Sequence, residues 1–349
     1  MIIVRPAKAR DLEALSELAR LSGSGFTSLP TDEESLARRV ALSQDSFSKP
    51  VTAPGDETYL LMLEDLTDGA VIGTSAVKAC VGRKKPFFNF KLFSITQVSA
   101  AVQQALDPHR EPFDMDVMVL VNEFAGCAEV GTLFVRPERR GGGAGRLAAQ
   151  SRYLFMAGAP ERFGRTVLAE LRGRVSPDGH SPFWEHLGRK FFRMDFDDAD
   201  FLSGVTNNQF ILDLMPKYPI YVDLLPDEAQ AVIGQVHPEG ERARDLLLAE
   251  GFRYNRAIDI FDGGPVVSAP LSDIGTVRDS ALLQAEVGEP DPGARALISN
   301  NRLAGFRATA VRAAATDTAV IAPAAVWSAL DVGPGDTVRV WLREDRHDG

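Results

Sequence analysis

Apolar positions along this chain change their period from two to three or four and back, and each change marks an expected element. Ile2 to Arg5 is a short β-prone segment. After Pro6 the leucines Leu12, Leu15 and Leu18 recur at helical spacing behind Asp11, so a strand and then a helix are predicted. Thr31 with Glu34 three residues on has the spacing of a capping box, and Leu36 and Val40 continue a helical face, which predicts a second helix. Tyr59 to Glu64 and Val71 to Val77 are β-rich runs around Asp68-Gly69 and read as an antiparallel hairpin. Residues 83–126 carry the runs FFNFKLFSI and DMDVMVLV, expected to be an insertion holding a strand pair with a helix. Thr132 to Val135 predicts the next strand, followed by a glycine-rich turn and a helical pattern, and Thr166 to Leu171 predicts another strand. Beyond Asp262-Gly263-Gly264-Pro265 the composition shifts to Ala, Val and Thr. The alternating run Thr337 to Leu342 behind Gly333-Pro334-Gly335 then makes 266–349 a small β-rich unit.

The turn after Val135 changes the picture from architecture to chemistry. Gly141, Gly142, Gly143 and Gly145 let successive backbone N-H groups converge at a helix N-terminus, where the dipole favours phosphate oxygens. The dinucleotide fingerprint would need glycine at Arg146, and a P-loop would need Gly-Lys-Ser/Thr; neither pattern is present. Charge narrows the ligand. The chain is acidic, 48 Asp plus Glu against 38 Lys plus Arg, yet Arg136, Arg139, Arg140, Arg146 and Arg152 gather around the turn with only Glu138 opposing them. A local basic patch on an acidic protein suits a small anion, and no nucleic acid is expected. With 349 residues, 45% of them hydrophobic, the chain has enough material for two or three packed units. It has no apolar run of membrane-span length and no signal-peptide pattern, so no membrane association and a cytoplasmic location are expected. Cys80 and Cys127 lack metal-ligand spacing and read as buried thiols, and no metal is expected.

Arg140, Gly143 and Gly145 have the R-x-x-G-x-G/A spacing of the pyrophosphate loop in the GCN5-related N-acyltransferases, which bind acyl-coenzyme A. The predicted order β-α-α-β-β, then strand, glycine loop and helix, resembles that fold, and SPFWEHLGRKFF resembles the segment that closes such domains. A similar cue recurs at ARDLLLAEGF. The implied fold class is α/β (α+β), a GCN5-related acyl-CoA N-acyltransferase fold with a mixed central sheet and a small β-rich C-terminal unit. Its expected organisation is a core over 1–200 with the insertion at about 83–126, a continuation over 201–265 as a degenerate second acyltransferase-like half, and the unit over 266–349. Across the full chain RPAKARDL, GFTSLP, LMPKYPIY, IGQVHP and GFRYNRAIDIFDGGP, in that order, resemble the arginine N-succinyltransferase family. That resemblance implies transfer of succinyl from succinyl-CoA to the α-amino group of L-arginine, as the first step of a catabolic route. It implies succinyl-CoA as co-substrate with no permanently bound cofactor, and a homo-oligomer or paired subunits. Rival readings are a subunit of an arginine/ornithine succinyltransferase, an acyltransferase with another amine acceptor, and a non-catalytic CoA-binding partner subunit.

Acyl transfer to an amine needs a deprotonated amine, a stabilised oxyanion and a proton for the departing thiolate. Among His109, His180, His186, His237 and His347, the ring of His237 is favoured, because Pro238 holds it out of a helix, at a loop or just ahead of a helix starting near Glu241. On the residues alone it is either a proton-transfer group or a structural histidine; the resemblance implies the proton donor. His180 is the runner-up. The resemblance likewise implies a succinyl-CoA contact at Leu133, whose side chain by itself says only core strand, and a pyrophosphate cradle from Arg140, Gly141, Gly143 and Gly145. Glu170 is open to two readings, a proton acceptor through water or a structural carboxylate paired near Arg172 or Arg174. Asp259 and Asp262 are candidates to grip a guanidinium, though a strand and turn also explain them.

Overall fold

The computed structural model describes residues 1–23, 28–97, 113–176, 179–205, 209–290 and 293–343. Among them the strands are β1 (Ile2–Pro6), β2 (Thr58–Asp65), β3 (Ala70–Lys78), β4 (Asn89–Gln97), β5 (Phe113–Val121), β6 (Ala128–Val135), β7 (Thr166–Glu170), β8 (Ile220–Tyr221), β9 (Arg253–Ile258), β10 (Pro265–Pro270), β11 (Ala281–Val287), β12 (Ala294–Ser299), β13 (Ala308–Ala315), β14 (Ala319–Ala322) and β15 (Thr337–Arg343). The main sheet runs β1-β2-β3-β6-β7-β10-β9-β4-β5-β8, antiparallel throughout except for the parallel pair β6 and β7. The chain is a mixed α/β protein.

Helices on both faces explain why the β2 run TYLLML is continuously apolar rather than alternating. Leu60 and Met62 face α1 (Leu12–Ser22) and α2 (Glu33–Ser48) with Leu15, Leu18 and Leu36. Tyr59, Leu61 and Leu63 face the opposite core, which α3 (Ala144–Gly158) covers with Leu147, Leu154 and Phe155. The first turn into α1 is fixed by Arg5, whose guanidinium donates to both oxygens of Asp11 at 2.7 and 2.9 Å and also to Glu64. The N-cap of α2 is Asp32, which accepts from Ser35 N at 2.8 Å, so the expected capping box at Thr31 is corrected by one residue. An Asp side chain reaches the N3 amide directly, and no reciprocal Glu is required.

Strands β4 and β5 pair over their full length within the expected insertion; its expected helix lies outside the described residues. The SPFWEHLGRKFF segment begins as a π-helix at Trp184–Gly188 and tightens to an α-helix at Arg189–Phe192. Beyond β10, the pairs β13–β12, β12–β15, β15–β11, β11–β14 and β14–β13 close on themselves. The result is a five-stranded barrel filled by residues such as Leu283, Ile298, Val320, Trp327 and Val338. Backbone pairing of Ile3 with Thr309 and Val4 with Ala308 joins this barrel to the edge of the main sheet.

Candidate active site

The glycine turn leads from β6 into α3. Gly141, Gly142 and Gly143 have φ of 97°, 54° and 91°, in the left-handed region that side-chain-bearing residues avoid. A Cβ on any of them would meet nothing within 4 Å, so their role is conformational and the space beside them is open. Gly143 is the N-cap of α3 and carries no side-chain cap, which leaves the first-turn N-H groups and the positive end of the helix dipole facing that space. Arg140 folds back, its Nε donating to Val135 O at 3.1 Å and its guanidinium lying 5.6 Å from the Phe134 ring centre.

The expected basic patch is smaller than the sequence suggests. Arg136 donates to both oxygens of Glu17 at 2.7 and 2.5 Å, and Arg139 pairs with Asp68 at 2.6 Å and Asp65 at 3.3 Å. Their acidic partners are more than sixty residues away in sequence and close only in space. Arg152 is buried, donating to Gly131 O at 3.3 Å and Ala149 O at 3.1 Å. Arg140 and Arg146 line the open space.

Next to the turn, the parallel ladder between β6 and β7 holds only at Ala128 with Val167 and Glu129 with Leu168. Past these two pairs β6 continues to Val135 and β7 to Glu170 without further pairing, and a cleft of about 1610 Å³ opens between them. Inside β6 the register with β3 shifts, and Thr132 has φ of 53°. A β-branched residue at positive φ is an outlier that its surroundings must hold in place. Here Thr132 Oγ1 donates to Ser28 O at 3.2 Å while Arg152 grips the neighbouring Gly131 carbonyl. This bulge re-aims the backbone at Leu133, which lines the cleft.

Leu133, Arg140, Gly141, Gly143, Gly145 and His237 all lie on the wall of this one cleft, although more than a hundred residues separate the first from the last. His237 sits just before the turn Pro238–Gly240, which precedes α4 (Glu241–Ala249). Its backbone N-H donates to Arg172 O at 2.8 Å, and its Nδ1 accepts from Glu239 N at 3.2 Å. Burial and the nearby Arg172 guanidinium lower the imidazole pKa, while Glu239 and a backbone hydrogen bond with Val175 pull the other way. The ring is therefore held neutral to lower pH than a free histidine. His180 is exposed and away from the cleft, and His186 bonds Glu228; His109 and His347 lie outside the described residues.

Glu170 ends β7 on the cleft wall and is solvent-exposed there, with enough protein around it to disfavour the charge. Burial first, then the neighbouring Asp259 and Glu129, push its pKa well above the usual glutamate value. Burial also raises Asp259, against N-H groups of Phe261 and Asp262 that donate to its Oδ1 at 2.7 and 3.0 Å. Asp262 is pushed up to about 7 by burial and by Asp259, despite accepting from Gly173 N at 2.6 Å and Gly264 N at 2.8 Å. The pairing of Glu170 with Arg172 or Arg174 does not form; the partner is Asn89, whose Nδ2 donates to Glu170 Oε1 at 3.2 Å. Both thiols are pushed up by burial, Cys80 on the cleft wall included, and neither is primed as a thiolate.

Arg39 and Lys85 line the cleft and Asn89 lies buried behind Glu170; none of the three is among the expected site residues. Arg39 and Lys85 carry no sequence signal, being ordinary cations on a helix and a loop. Asn89 has one: a polar residue inside the aromatic run FFNFKLF must face a partner or an interior polar site.

Comparison with known proteins agrees with this geometry. Residues 2–276 match the family described as "Arginine N-succinyltransferase beta subunit", and residues 280–341 match its "C-terminal domain". The chain is 39% identical over 342 residues to arginine N-succinyltransferases of Salmonella schwarzengrund (strain CVM19633) and Salmonella paratyphi B, covering 97% of this chain and 97% of each relative. It superposes on the crystallised arginine/ornithine succinyltransferase subunit AI from Pseudomonas aeruginosa with a TM-score of 0.87 at 34% identity, covering 98% of both chains. A glycine-turn helix, a parted parallel strand pair and full-length similarity to these proteins together make the chain a member of the arginine N-succinyltransferase family, on a mixed α/β fold.

Proposed function

We propose that the chain transfers the succinyl group of succinyl-CoA to the α-amino group of L-arginine, giving N2-succinyl-L-arginine and CoA. The observation that carries this reading is the single cleft, which joins an anion-seeking helix N-terminus to titratable groups across the parted strands β6 and β7. In this reading the N-H groups of the glycine turn, with Arg140, Gly141, Gly143 and Gly145, cradle the CoA pyrophosphate. The backbone N-H at the Leu133 bulge receives the thioester oxygen. The arginine amine attacks the thioester carbon, a C-N bond forms and the C-S bond breaks. His237, neutral at the outset, takes the proton released from the amine side at Nδ1, giving up the hydrogen bond from the Glu239 amide, and passes its Nε2 proton to the departing thiolate. Arg39 and Lys85 on the same wall support succinyl as the acyl group, since a terminal carboxylate needs a cation. Succinyl-CoA is a substrate in this scheme, and no permanently held cofactor takes part. We further propose that the protein acts in the cytoplasm as a homo-oligomer or paired subunit.

Incubation of the pure protein with L-arginine and either succinyl-CoA or acetyl-CoA, following thiol release and product mass, tests the reading. Release with succinyl-CoA alone and an α-succinylated product is expected. Silence with both donors would reject a self-sufficient enzyme for arginine and favour a partner-dependent one, since the Pseudomonas relative is a subunit.

A further inference from the structure

We propose that Glu170 and Asp259, with Asn89 bracing Glu170 from behind, form the pocket that holds the guanidinium of the acceptor amino acid. This rests on the reading that the acceptor is arginine. Three strand ends bring the groups together. β7 ends at Glu170, which pairs across to Val266 on β10; Val266 in turn pairs with Ala257 on β9, two residues before Asp259. On the far side of β9, Phe90 pairs with Ile258, so Asn89 lies at the level of Asp259.

Asn89 is fully buried, and its Oδ1 has no hydrogen-bond partner although its Nδ2 reaches Glu170. A buried acceptor without a donor is costly, and what the Asn89 side chain does in this position is hold the Glu170 carboxylate. The charges point the same way. Glu129 has its cation, Lys78 at 2.8 Å, whereas Glu170 and Asp259 make no ion pair among the described residues, and both are pushed toward the neutral acid. A cation entering between them would relieve both.

The available atoms select the kind of cation. No three His, Cys, Asp or Glu side chains among the described residues are arranged to hold a metal ion. On the cleft wall the acceptors are the Glu170 carboxylate and that of Asp259, which already takes the Phe261 and Asp262 amides and a side-chain hydrogen bond with Asp262; Asn89, buried behind them, holds Glu170 through its Nδ2. A planar group with five N-H donors directed outward matches that set, while an ammonium offers only three donors from one point.

The test compares L-arginine with L-citrulline, whose ureido group keeps the shape and loses the charge, as acceptors for the full-length protein and for Glu170→Gln and Asp259→Asn. Loss of one charge-assisted bond is expected to raise KM for arginine by about ten- to a hundred-fold. The preference for arginine over citrulline in kcat/KM is expected to fall by a similar factor, and KM for succinyl-CoA to stay within about twofold. A drop in kcat with that preference unchanged would overturn the proposal, because a group serving only in proton transfer treats both acceptors alike. If a variant fails to fold, the unaltered protein decides. Butylguanidine should compete with arginine where butylurea does not, and equal competition by the two would overturn the pocket. Wild type that makes no succinylarginine would instead remove the function on which the pocket rests.

Discussion

At His237 the surroundings fix how the ring can work, a backbone hydrogen bond with Val175 among them. Nδ1 accepts the Glu239 amide, and the Arg172 guanidinium and burial disfavour the imidazolium. Replacing His237 with alanine should lower turnover by about 10² to 10⁴ while leaving CoA affinity nearly intact, the pattern for loss of a proton-transfer group. Calorimetry beside steady-state kinetics separates the two effects; normal turnover would remove His237 from the scheme. The sign of its shift sets the pH dependence. A lowered pKa keeps the ring neutral further into acid, so an acid-side fall of kcat/KM caused by His237 should lie below the ordinary histidine value of about 6.5 and vanish in the alanine variant. A limb above that value, retained in the variant, would belong to another group. At this scale His237 was legible in the sequence because Pro238 restricts its backbone, and the glycines were legible because they cluster. Asn89 was not identified, since nothing local says that a polar residue in an aromatic run faces a carboxylate eighty residues on.

The glycine turn and α3 act as one element. Three of its glycines are required by positive φ, but Gly145 is helical and has no atom within 4 Å of an added Cβ. Gly145→Leu therefore separates ligand space from backbone strain. The expected outcome is CoA affinity reduced at least about tenfold with the melting midpoint little changed, since leucine is a better helix former than glycine. Unaltered affinity by calorimetry would refute the phosphate-cradle assignment. Most elements near the site could be read from period alone: β2 and β3, the helix behind the glycines and β7 all fall where the pattern predicts. The bulge at Thr132 could not, because a threonine in a β-prone run signals regular strand. Its left-handed backbone is imposed by Ser28 and Arg152 from other parts of the chain.

On the scale of the molecule, the barrel and the main sheet share more than an edge. Phe306, between β12 and β13, is buried in the main core 5.1 Å from Phe155 of α3, edge to face, and Thr309 Oγ1 donates to Ile2 O at 2.7 Å. Phe306→Ala should cost about 3 to 5 kcal/mol and lower the melting midpoint of the whole chain, seen by calorimetry; an unchanged midpoint would mean that the barrel is energetically separate. Period and composition determined the existence of most strands and helices, the β character of the C-terminal stretch, and the glycine turn ahead of a helix, because each depends on neighbours a few residues away. Tertiary structure alone decided which arginines near the turn are tied to distant carboxylates, where β6 and β7 part, and that His237, Glu170 and Asp259 stand around one cleft with Asn89 buried behind Glu170. Those outcomes depend on strand order and on ion pairs between distant segments, and local spacing carries no information about either.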